Sequence, residues 1–570
     1  MIISTLMDTR SWNQDCGRPS ATGGLWDHGA AMRSPDTSRT AAVTTSAAGH
    51  TALSPPNHPS REHAVSNSPD RLRLFRRLAV FRRLVPLRIV LIGATGSVLI
   101  ALGAVGAAGV LNHDPLLAGS GLSWVRFGHG RDLATGLLYL GLGLLVWAWV
   151  RLGREVRIER VGTHGVLAAI GGWLLPLMFT PPLFSRDAYS YLAQGNLAAH
   201  GIDPYEMGPA ALPGPLADNV SWVWQNTPAP YGPLFILVAK TVVMITGQNL
   251  ILGVLLMRLV MVLGLVLMCW ALPGLARHLG GRGDQALWMA AANPLMLVHL
   301  VGGPHNDLLM VGLLAAGVLV TLNRRHVWGI VLIMLAAAMK ATAVIALPFM
   351  VWIWAARLHG SARSRFLRAA GATTAVSLAV FTACTLVAGV DLGWISALQT
   401  SSLIVNWLSV PTAVAQIAHL VAGWFVTASL PGFLTVTRLL GFVAFAGVAV
   451  WQWWKARHGG PQAVYHATIT LFALALLSPA TLPWYFSWPL ALAAALKWPG
   501  SATVAAVCGS VWLLLVTFPS GDTALYSWFY LLGALGVSVL AAVSLVRPDP
   551  LRLSSRDRVD RPVGLPPSSD

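Results

Sequence analysis

Charged residues are scarce in this chain of 570 residues. Asp, Glu, Lys and Arg together make up 11% of it, and only 22 residues are Asp or Glu, whereas soluble domains carry roughly a quarter charged residues. Hydrophobic residues make up 55%, and the mean hydropathy is +0.63. Apolar runs of about 18 or more residues, long enough to cross a bilayer core, recur along the chain. The composition excludes a soluble globular domain and indicates a polytopic membrane protein.

Other absences narrow the function. Four scattered cysteines, Cys16, Cys269, Cys384 and Cys508, give neither a metal-binding spacing nor a disulfide framework. No G-x-x-x-x-G-K-[ST] segment occurs, and no soluble domain remains that could bind a sugar nucleotide. The net charge of +17 does not indicate a nucleic-acid partner, because the arginines lie between apolar runs rather than in one patch with interleaved aromatics.

The two ends of the chain differ from its middle. Residues 1–70 are rich in Ser, Thr, Ala, Gly and Pro and predict a disordered segment. Residues 71–87 form a basic collar that we expect on the cytoplasmic side, against anionic headgroups. The tail 547–570 again predicts disorder, which leaves 88–546 as one transmembrane domain.

The positions of the basic loops predict the topology, since Lys and Arg concentrate on the cytoplasmic side. The apolar run 231–247 breaks this pattern if it crosses, so we place it in the outer interface. In this topology the protein lies in the plasma membrane with both termini on the cytoplasmic side. The loops 184–248 and 390–432 lie on the extracytoplasmic side. Lys340 falls at the outer apex between two short spans. We predict about 14 crossings, near 88–111, 132–152, 163–183, 249–273, 285–301, 307–323, 326–339, 341–357, 367–389, 433–454, 462–478, 485–497, 500–518 and 524–546.

One outer loop collects polar groups at the edge of the hydrocarbon. Residues 184–232 read FSRDAYSYLAQGNLAAHGIDPYEMGPAALPGPLADNVSWVWQNTPAPYG and include four of the 22 carboxylates: Asp187, Asp203, Glu206 and Asp218. Ionisable groups at a membrane boundary are costly to desolvate and indicate function. Asp187, beside the Arg186 cation, is placed to act as a general base or to bind a hydroxyl-rich ligand.

A structural alternative exists for these residues. Ser185 or Asp187 could simply cap the following helix by accepting its first amides. Three polar side chains on or near that helix, Tyr189, Gln194 and Asn196, are within reach of a sugar-like ligand. Each of them alone is more often a surface or packing residue than a ligand contact.

Further candidates lie in ANPLMLVHLVGGPHNDLLM, residues 292–310. His305, Asn306 and Asp307 follow a Gly-Gly-Pro break, and Asp307 alone could be a helix cap. His299, one turn before the break, is either a core histidine or a donor to a ligand phosphate.

Lys340 and Arg258 are cations at the depth of a lipid phosphate, although snorkelling also explains Arg258. At a later outer turn, Trp484 and Tyr485 suit either an interfacial belt or stacking against sugar rings.

Together the segments SRDAYSYLAQGNLAAHGIDPYEMGP, NTPAPYGPLF, ANPLMLVHLVGGPHNDLLMVGLL, AMKATA and SPATLPWYFSWPL resemble the actinobacterial polyprenol-phosphomannose-dependent α-(1→6)-mannopyranosyltransferases. The resemblance covers about residues 85–545. It implies an all-α, GT-C type membrane glycosyltransferase with extracytoplasmic juxtamembrane helices, here 187–200 and 231–247. It also implies a polyprenyl-phosphate mannose donor and a lipid-linked α-(1→6)-mannan acceptor of lipomannan or lipoarabinomannan type.

The resemblance also assigns roles to residues. Asp187 matches the general base, and Lys340, His305, Arg258 and His299 are the candidates for the donor phosphate. No cofactor is expected. Many relatives carry a second acidic residue where this chain has Arg186, which argues against a required metal and leaves the metal question open. The candidates for sugar or acceptor binding are Arg186, Tyr189, Gln194, Asn306, Asp307, Trp484 and Tyr485.

Other functions stay open at this point. An enzyme of the same fold could use another polyprenyl-phosphate sugar. A lipid-linked sugar transporter or flippase could also have about 14 spans and buried cations, although it predicts internal repeats that the sequence does not show. A scaffold for envelope assembly is a further alternative.

Overall fold

Helices form almost all of the regular structure of this protein. The computed structural model describes residues Pro86–Leu551, except His113, Ala428 and the side chain of Ser401. These residues form α-helices, short 3₁₀ helices, one π-helix and turns, with no strand among them. The predicted disordered segment 1–70, most of the basic collar and most of the tail lie outside the described residues.

The main α-helices, in chain order, are α1 Leu87–Ala107, α2 Gly128–Arg157, α3 Thr163–Leu177, α4 Asp187–Ala199, α5 Pro233–Thr246, α6 Leu250–Leu279, α7 Gly283–Met289, α8 Asp307–Leu322, α9 His326–Met339, α10 Leu347–Ala355, α11 Ala362–Ala388, α12 Val410–Ala422, α13 Leu430–Lys455, α14 Gly460–Leu477, α15 Ser487–Ala493, α16 Gly500–Leu515 and α17 Trp528–Val546. Three shorter elements complete the site region: a π-helix at Met296–Gly302 and 3₁₀ helices at Ala341–Ala346 and Pro483–Phe486.

The architecture is that of a polytopic, all-helical membrane protein. In the described part of the chain, seven helices are long and apolar enough to cross a membrane, or eight if the bent pair Met296–Gly302 and Asp307–Leu322 is counted as one span. The predicted number of about 14 crossings is therefore not confirmed. Several predicted spans are instead short or broken helices.

The breaks have local causes. The predicted span 285–301 is interrupted after α7 by a turn at residues 290–292. Asn293 follows this turn, and its side chain accepts from the Leu295 amide at the start of the next helical segment. The π-helix then meets α8 at an angle of 117°. The predicted spans 326–339 and 341–357 do meet at Lys340, where the backbone is extended. The predicted span 485–497 contains only the seven-residue helix α15.

The predicted interfacial helix 231–247 is the 14-residue α5. At 1.5 Å per residue it is about 21 Å long, shorter than a hydrocarbon core of about 30 Å. It packs closely on α4, since a Cβ at Gly195 would lie 2.4 Å from the backbone of Ala239. The position of α5 relative to the two membrane faces stays a prediction.

Close glycine packing fixes α8, which begins at the candidate site. A Cβ at Gly264 of α6 would lie 2.1 Å from the Leu308 carbonyl oxygen, and a Cβ at Gly312 would lie 2.2 Å from that of Gly264. Small residues allow helix backbones in a membrane to approach each other this closely. Because Leu308 is the second residue of α8, the contact holds the start of that helix in place.

Candidate active site

The turn that leads into α4 sets the position of Asp187. Phe184 adopts a left-handed backbone with φ of 59°, an uncommon conformation for a bulky residue that surrounding contacts must maintain. The Leu183 amide donates to the Gly302 carbonyl at 3.2 Å, and the Phe184 amide donates to that of Pro519 at 3.0 Å. The turn is therefore pinned from two sides, by the π-helix and by the loop after α16.

Asp187 is the first residue of α4 and pairs with a histidine. Its Oδ2 lies 3.4 Å from His305 Nδ1, and its amide donates to the Ser185 hydroxyl at 3.1 Å. The residue at the N-cap position of α4 is Arg186, which makes no side-chain cap bond. Capping therefore does not account for Asp187, whose side chain is 18% exposed.

His305 is held between Asp187 and an aromatic wall. Its ring stacks on Trp484 with 3.9 Å between ring centres and 20° between planes. The Tyr191 hydroxyl lies 3.5 Å from the same Nδ1. The His305 side chain is fully buried, so it has no exposed surface in this structure, and its role as a phosphate ligand stays a prediction.

The electrostatic surroundings keep Asp187 ionised. Burial on its own raises the pKa of this carboxyl. The contact with His305, the positive charge of Lys340 and a side-chain hydrogen bond from the Ser185 hydroxyl together lower the pKa by more, so that it lies below its ordinary value. A carboxylate in this position carries its negative charge at neutral pH and is able to accept a proton or a hydroxyl hydrogen bond.

Lys340 and Asp307 form a second ion pair nearby. Both Asp307 oxygens lie 2.8 Å from Lys340 Nζ, and Trp488 Nε1 donates to Oδ1 at 2.6 Å. Asp307 is fully buried, whereas Lys340 keeps 14% of its side chain exposed. Lys340 Nζ also lies 4.7 Å from the centre of the Tyr485 ring, a cation–π distance. Asp307 therefore holds Lys340 in place, and its own side chain has no exposed surface.

Asp187 and Lys340 line the same cavity, of about 140 Å³. Among the described residues, no other side chain that lines it is charged. The walls combine aromatic rings with an aliphatic rim, and they consist of Trp224, Pro230, Tyr231, Ala341, Thr342, Leu398, Ile404, Leu474, Ser478, Pro479, Ala480, Leu482, Trp484, Tyr485 and Trp488. The cavity therefore offers one carboxylate, one ammonium group and several ring faces.

Arg258, a predicted phosphate ligand, lies elsewhere. Its guanidinium is buried and donates to four backbone carbonyls, those of Met178, Thr180, Val301 and Gly302, at 2.7 to 2.9 Å. These carbonyls belong to the turn after α3 and to the π-helix, where the α-helical hydrogen-bond pattern is interrupted. Arg258 thus donates hydrogen bonds to carbonyls at an interruption of the helical pattern, and its side chain does not line the cavity.

Arg186 and Tyr189, predicted to bind sugar, also make internal contacts. Arg186 donates to the carbonyls of Val110 and Asn219 at 2.9 to 3.2 Å, and Tyr189 donates to that of Gly109 at 2.6 Å. The two side chains lie against each other, with the guanidinium carbon 5.2 Å from the ring centre. They tie the start of α4 to the segment after α1 and to the loop before α5, and neither lines the cavity.

Three further candidates are buried outside the cavity lining. His299 lies between Phe184, 4.8 Å away by ring centres, and Trp484, 5.9 Å away. Among the described residues, neither amide atom of the Asn306 side chain has a hydrogen-bond partner, and nor does the Gln194 side-chain oxygen. The structure thus brings Asp187, Lys340, Trp484 and Tyr485 to the cavity, and leaves Gln194, His299 and Asn306 outside its lining.

Comparison with known families decides the classification. A family model described as "Alpha-(1->6)-mannopyranosyltransferase, N-terminal domain" matches residues 90–356, and one described as "MptB C-terminal domain" matches residues 411–547. Alpha-(1->6)-mannopyranosyltransferase A of Mycobacterium tuberculosis is 45% identical over 464 residues, which are 80% of this chain and 90% of that protein. The chain belongs to the alpha-(1->6)-mannopyranosyltransferase family.

Other members of the family agree with this assignment. Alpha-(1->6)-mannopyranosyltransferase A of Corynebacterium glutamicum is 34% identical over 78% of this chain and 96% of its own length. Alpha-(1->6)-mannopyranosyltransferase B of the same organism is 32% identical over 70% of this chain and 71% of its own length. No solved structure matches the chain. The predicted family and the predicted class of enzyme, a mannosyltransferase, are confirmed.

Three cavity residues of this mannosyltransferase were absent from the predicted site. Tyr231 and Trp224 lie in the loop before α5, and Trp488 lies one turn beyond Tyr485. Burial raises the pKa of the Tyr231 phenol well above its ordinary value, so it stays a neutral donor. Their signal was present in WVWQNTPAPYG and PWYFSWP, where aromatics alternate with prolines. Such aromatics are also typical of an interfacial belt, so composition alone does not separate the two roles.

In the part of the chain that the structure describes, no three His, Cys, Asp or Glu side chains come close enough to hold a metal ion. That the reaction needs no cofactor stays a prediction, and the question of a divalent metal stays open.

Proposed function

We propose that this mannosyltransferase transfers mannose from a polyprenyl-phosphate mannose to a lipid-linked α-(1→6)-mannan acceptor of lipomannan or lipoarabinomannan type. The observation that supports it most is the cavity that presents Asp187 and Lys340 together, with ring faces between them. Such a donor is already activated and membrane-borne, which suits a helical membrane domain with no phosphate-binding loop motif in its sequence. We place the cavity on the extracytoplasmic face of the plasma membrane, with both termini in the cytoplasm.

Asp187 is the general base in this proposal. Its carboxylate accepts the proton of the acceptor 6-hydroxyl as that oxygen attacks the anomeric carbon of the donor. The new bond joins the acceptor oxygen to the anomeric carbon, and the bond from that carbon to the phosphate oxygen breaks with its electron pair on the phosphate. One displacement from the opposite face turns a β-linked donor into an α-linked product.

Lys340 stabilises the leaving group. The polyprenyl phosphate leaves as an ionised group, so the reaction demands no general acid. An ammonium group carries three N–H donors, and Asp307 accepts two of them in this structure, which leaves capacity for a phosphate oxygen. Charge that develops on the phosphate in the transition state is the kind that a preorganised cation stabilises best.

In this proposal His305 and Trp484 position the catalytic base, Asp187. The stacked Trp484 ring fixes the plane of the imidazole, and Nδ1 of that imidazole fixes the carboxylate of Asp187. Trp224, Tyr231 and Tyr485 supply ring faces and hydroxyls, which are suited to packing against sugar rings. We assign these residues to holding the two sugars while Asp187 and Lys340 act on the reacting atoms.

The test is transfer by the full-length chain in membranes, with synthetic polyprenyl-phosphate mannose and an α-(1→6)-dimannoside. The proposal expects a trimannoside with a new α-(1→6) linkage, at a rate that a chelating agent leaves unchanged. Transfer from a polyprenyl-phosphate pentose in preference to mannose would instead show a different donor. Movement of labelled donor across vesicles without transfer would show a transporter.

A further inference from the structure

A second feature of the molecule lies at the opposite end of α9 from Lys340. The turn between α8 and α9 carries Arg324 and Arg325, and two surface grooves flank it. The helix α9 has 14 residues, so the turn lies about 20 Å from Lys340 along the helix axis. The feature is therefore separate from the cavity that holds Asp187.

The two grooves share the side chains of Arg325 and Trp328. One, of about 570 Å³, runs between α6, α8 and α9 and is lined by Trp270, Val320, Asn323, Arg325, Trp328 and Leu332. The other, of about 420 Å³, lies between α9 and α10 and is lined by Arg324, Arg325, His326, Val327, Trp328 and Trp354. Each combines an apolar wall with a cation at one end, which is the pattern that suits a phospholipid with its acyl chains and its headgroup.

Within the described residues, the charges at this turn are not neutralised by acidic side chains. Arg324 and Arg325 are exposed, and no carboxylate of the described residues forms an ion pair with either. Arg357 adds a third positive charge, its guanidinium donating to the carbonyls of Thr321 and Leu322 at the end of α8. Three neighbouring cations that have no acidic partner in the described part of the chain attract an anion.

The backbone holds this cluster in a defined geometry. Arg324 adopts a left-handed conformation with φ of 66°, and its amide donates to the Thr321 carbonyl at 3.1 Å. The His326 ring stacks on Trp354 with 5.3 Å between ring centres, and within the described chain its Nδ1 is buried without a hydrogen-bond partner. A strained, tight turn with a fixed imidazole differs from a loop of freely snorkelling arginines.

We propose that this turn is a binding site for one anionic phospholipid. The phosphate of the headgroup is bound by Arg324 and Arg325, and an acyl chain lies in the groove between Trp270 and Leu332. Trp270 and Trp328 are 57% and 66% exposed, and exposed tryptophans are typical of the level of the headgroups. The lipid is distinct from the proposed mannose donor because it binds at the other end of α9.

The test measures lipid binding to the full-length purified chain by native mass spectrometry, with phosphatidylglycerol and phosphatidylcholine as probes. The site predicts selective retention of phosphatidylglycerol. In the double variant Arg324→Gln/Arg325→Gln, the affinity for phosphatidylglycerol falls at least about tenfold, since each basic side chain near an anionic lipid contributes about fivefold.

A matched control separates a site from general charge. The double variant Arg277→Gln/Arg363→Gln removes the same charge from two exposed arginines that line neither groove, and it should retain the lipid as the wild type does. Equal losses in both variants, or no preference for phosphatidylglycerol in the wild type, would overturn the proposal. Competition by soluble glycerol phosphate at similar concentration would also overturn it, because the apolar grooves would then contribute nothing.

Discussion

Lys340 and Asp307 lie in a two-pronged ion pair, with both carboxylate oxygens 2.8 Å from the ammonium nitrogen. Asp307 is fully buried, and its other partner is the indole of Trp488. The pair joins the start of α8 to the apex after α9. It therefore places the cation that we assign to the donor phosphate.

The pair predicts an asymmetry between single and double variants. Lys340→Met leaves a buried carboxylate without its cation, which typically costs about 3 kcal/mol or more in stability. Lys340→Met/Asp307→Asn removes the unpaired charge, and the amide oxygen that replaces the carboxylate can still accept from Trp488. The unfolding temperature of the double variant should therefore lie above that of the single variant.

Thermal unfolding in detergent measures the difference between these two variants. A double variant less stable than Lys340→Met would show that the pair does not have this role. Neither variant should transfer mannose at the wild-type rate, because both lack the cation that we assign to the leaving phosphate.

His305 predicts a change in pH dependence. A carboxylate base works above its pKa, and the pKa of Asp187 is lowered by His305 and Lys340 against the opposing effect of burial. His305→Gln removes part of that lowering, so the acid limb of kcat/KM should move to higher pH. The exposed residue His129 offers the control His129→Gln, whose profile should match the wild type. An unmoved acid limb in His305→Gln would mean that the histidine does not set the charge of Asp187.

The same contact affects stability in acid. Because the folded pKa of Asp187 lies below its ordinary value, its ionisation contributes stability above the unfolded pKa, and this contribution is lost as the pH falls through the folded pKa. His305→Gln should therefore lose less stability between neutral and acid pH than the wild type does. Unfolding temperatures measured across that range give the comparison.

Arg258 predicts a loss of stability rather than a loss of donor affinity. Arg258→Lys keeps the charge but cannot reach all four carbonyls of the turn after α3 and the π-helix. Since hydrogen bonds from charged groups contribute about 1.5–3 kcal/mol each, the variant should lose at least about 3 kcal/mol of stability. The KM for the polyprenyl donor should stay near that of the wild type in the protein that remains folded. A stable variant with a strongly raised KM would restore Arg258 to the phosphate site; Arg277→Lys, at an exposed position, serves as the control.

The sequence was enough to predict the class and the family, but it did not predict the contacts that the candidate site residues make. Lys340 lies at a break between two short helices, as predicted. This break was predictable because a cation divides the apolar run into two segments. Hydropathy cannot detect the turn at residues 290–292 that breaks the run 285–301, since it measures composition and not the direction of the backbone. The partners of Arg258 are backbone carbonyls more than 40 residues away in the sequence. Because every residue has a backbone carbonyl, the amino-acid sequence does not show which of them will accept these hydrogen bonds.

The burial of His305 and Asp307 could not be predicted from the sequence either. From the sequence alone, a polar residue near a loop is expected to be accessible to solvent. In the structure, the packing of α8 against α6 and α15 buries both side chains. In the structure His305 contacts Asp187 and Asp307 contacts Lys340. That either residue binds a ligand stays a prediction.

The central claim is that Asp187 is the base for mannosyl transfer. The most direct measurement is the rate of transfer from polyprenyl-phosphate mannose to an α-(1→6)-dimannoside by Asp187→Asn, compared with Asp218→Asn, an exposed carboxylate of the same loop that does not line the cavity. Loss of a general base typically lowers a rate by about 10²–10⁴-fold. We predict a fall of that size for Asp187→Asn, in protein of unchanged yield, and a rate near the wild type for Asp218→Asn. Full transfer by Asp187→Asn would contradict the account.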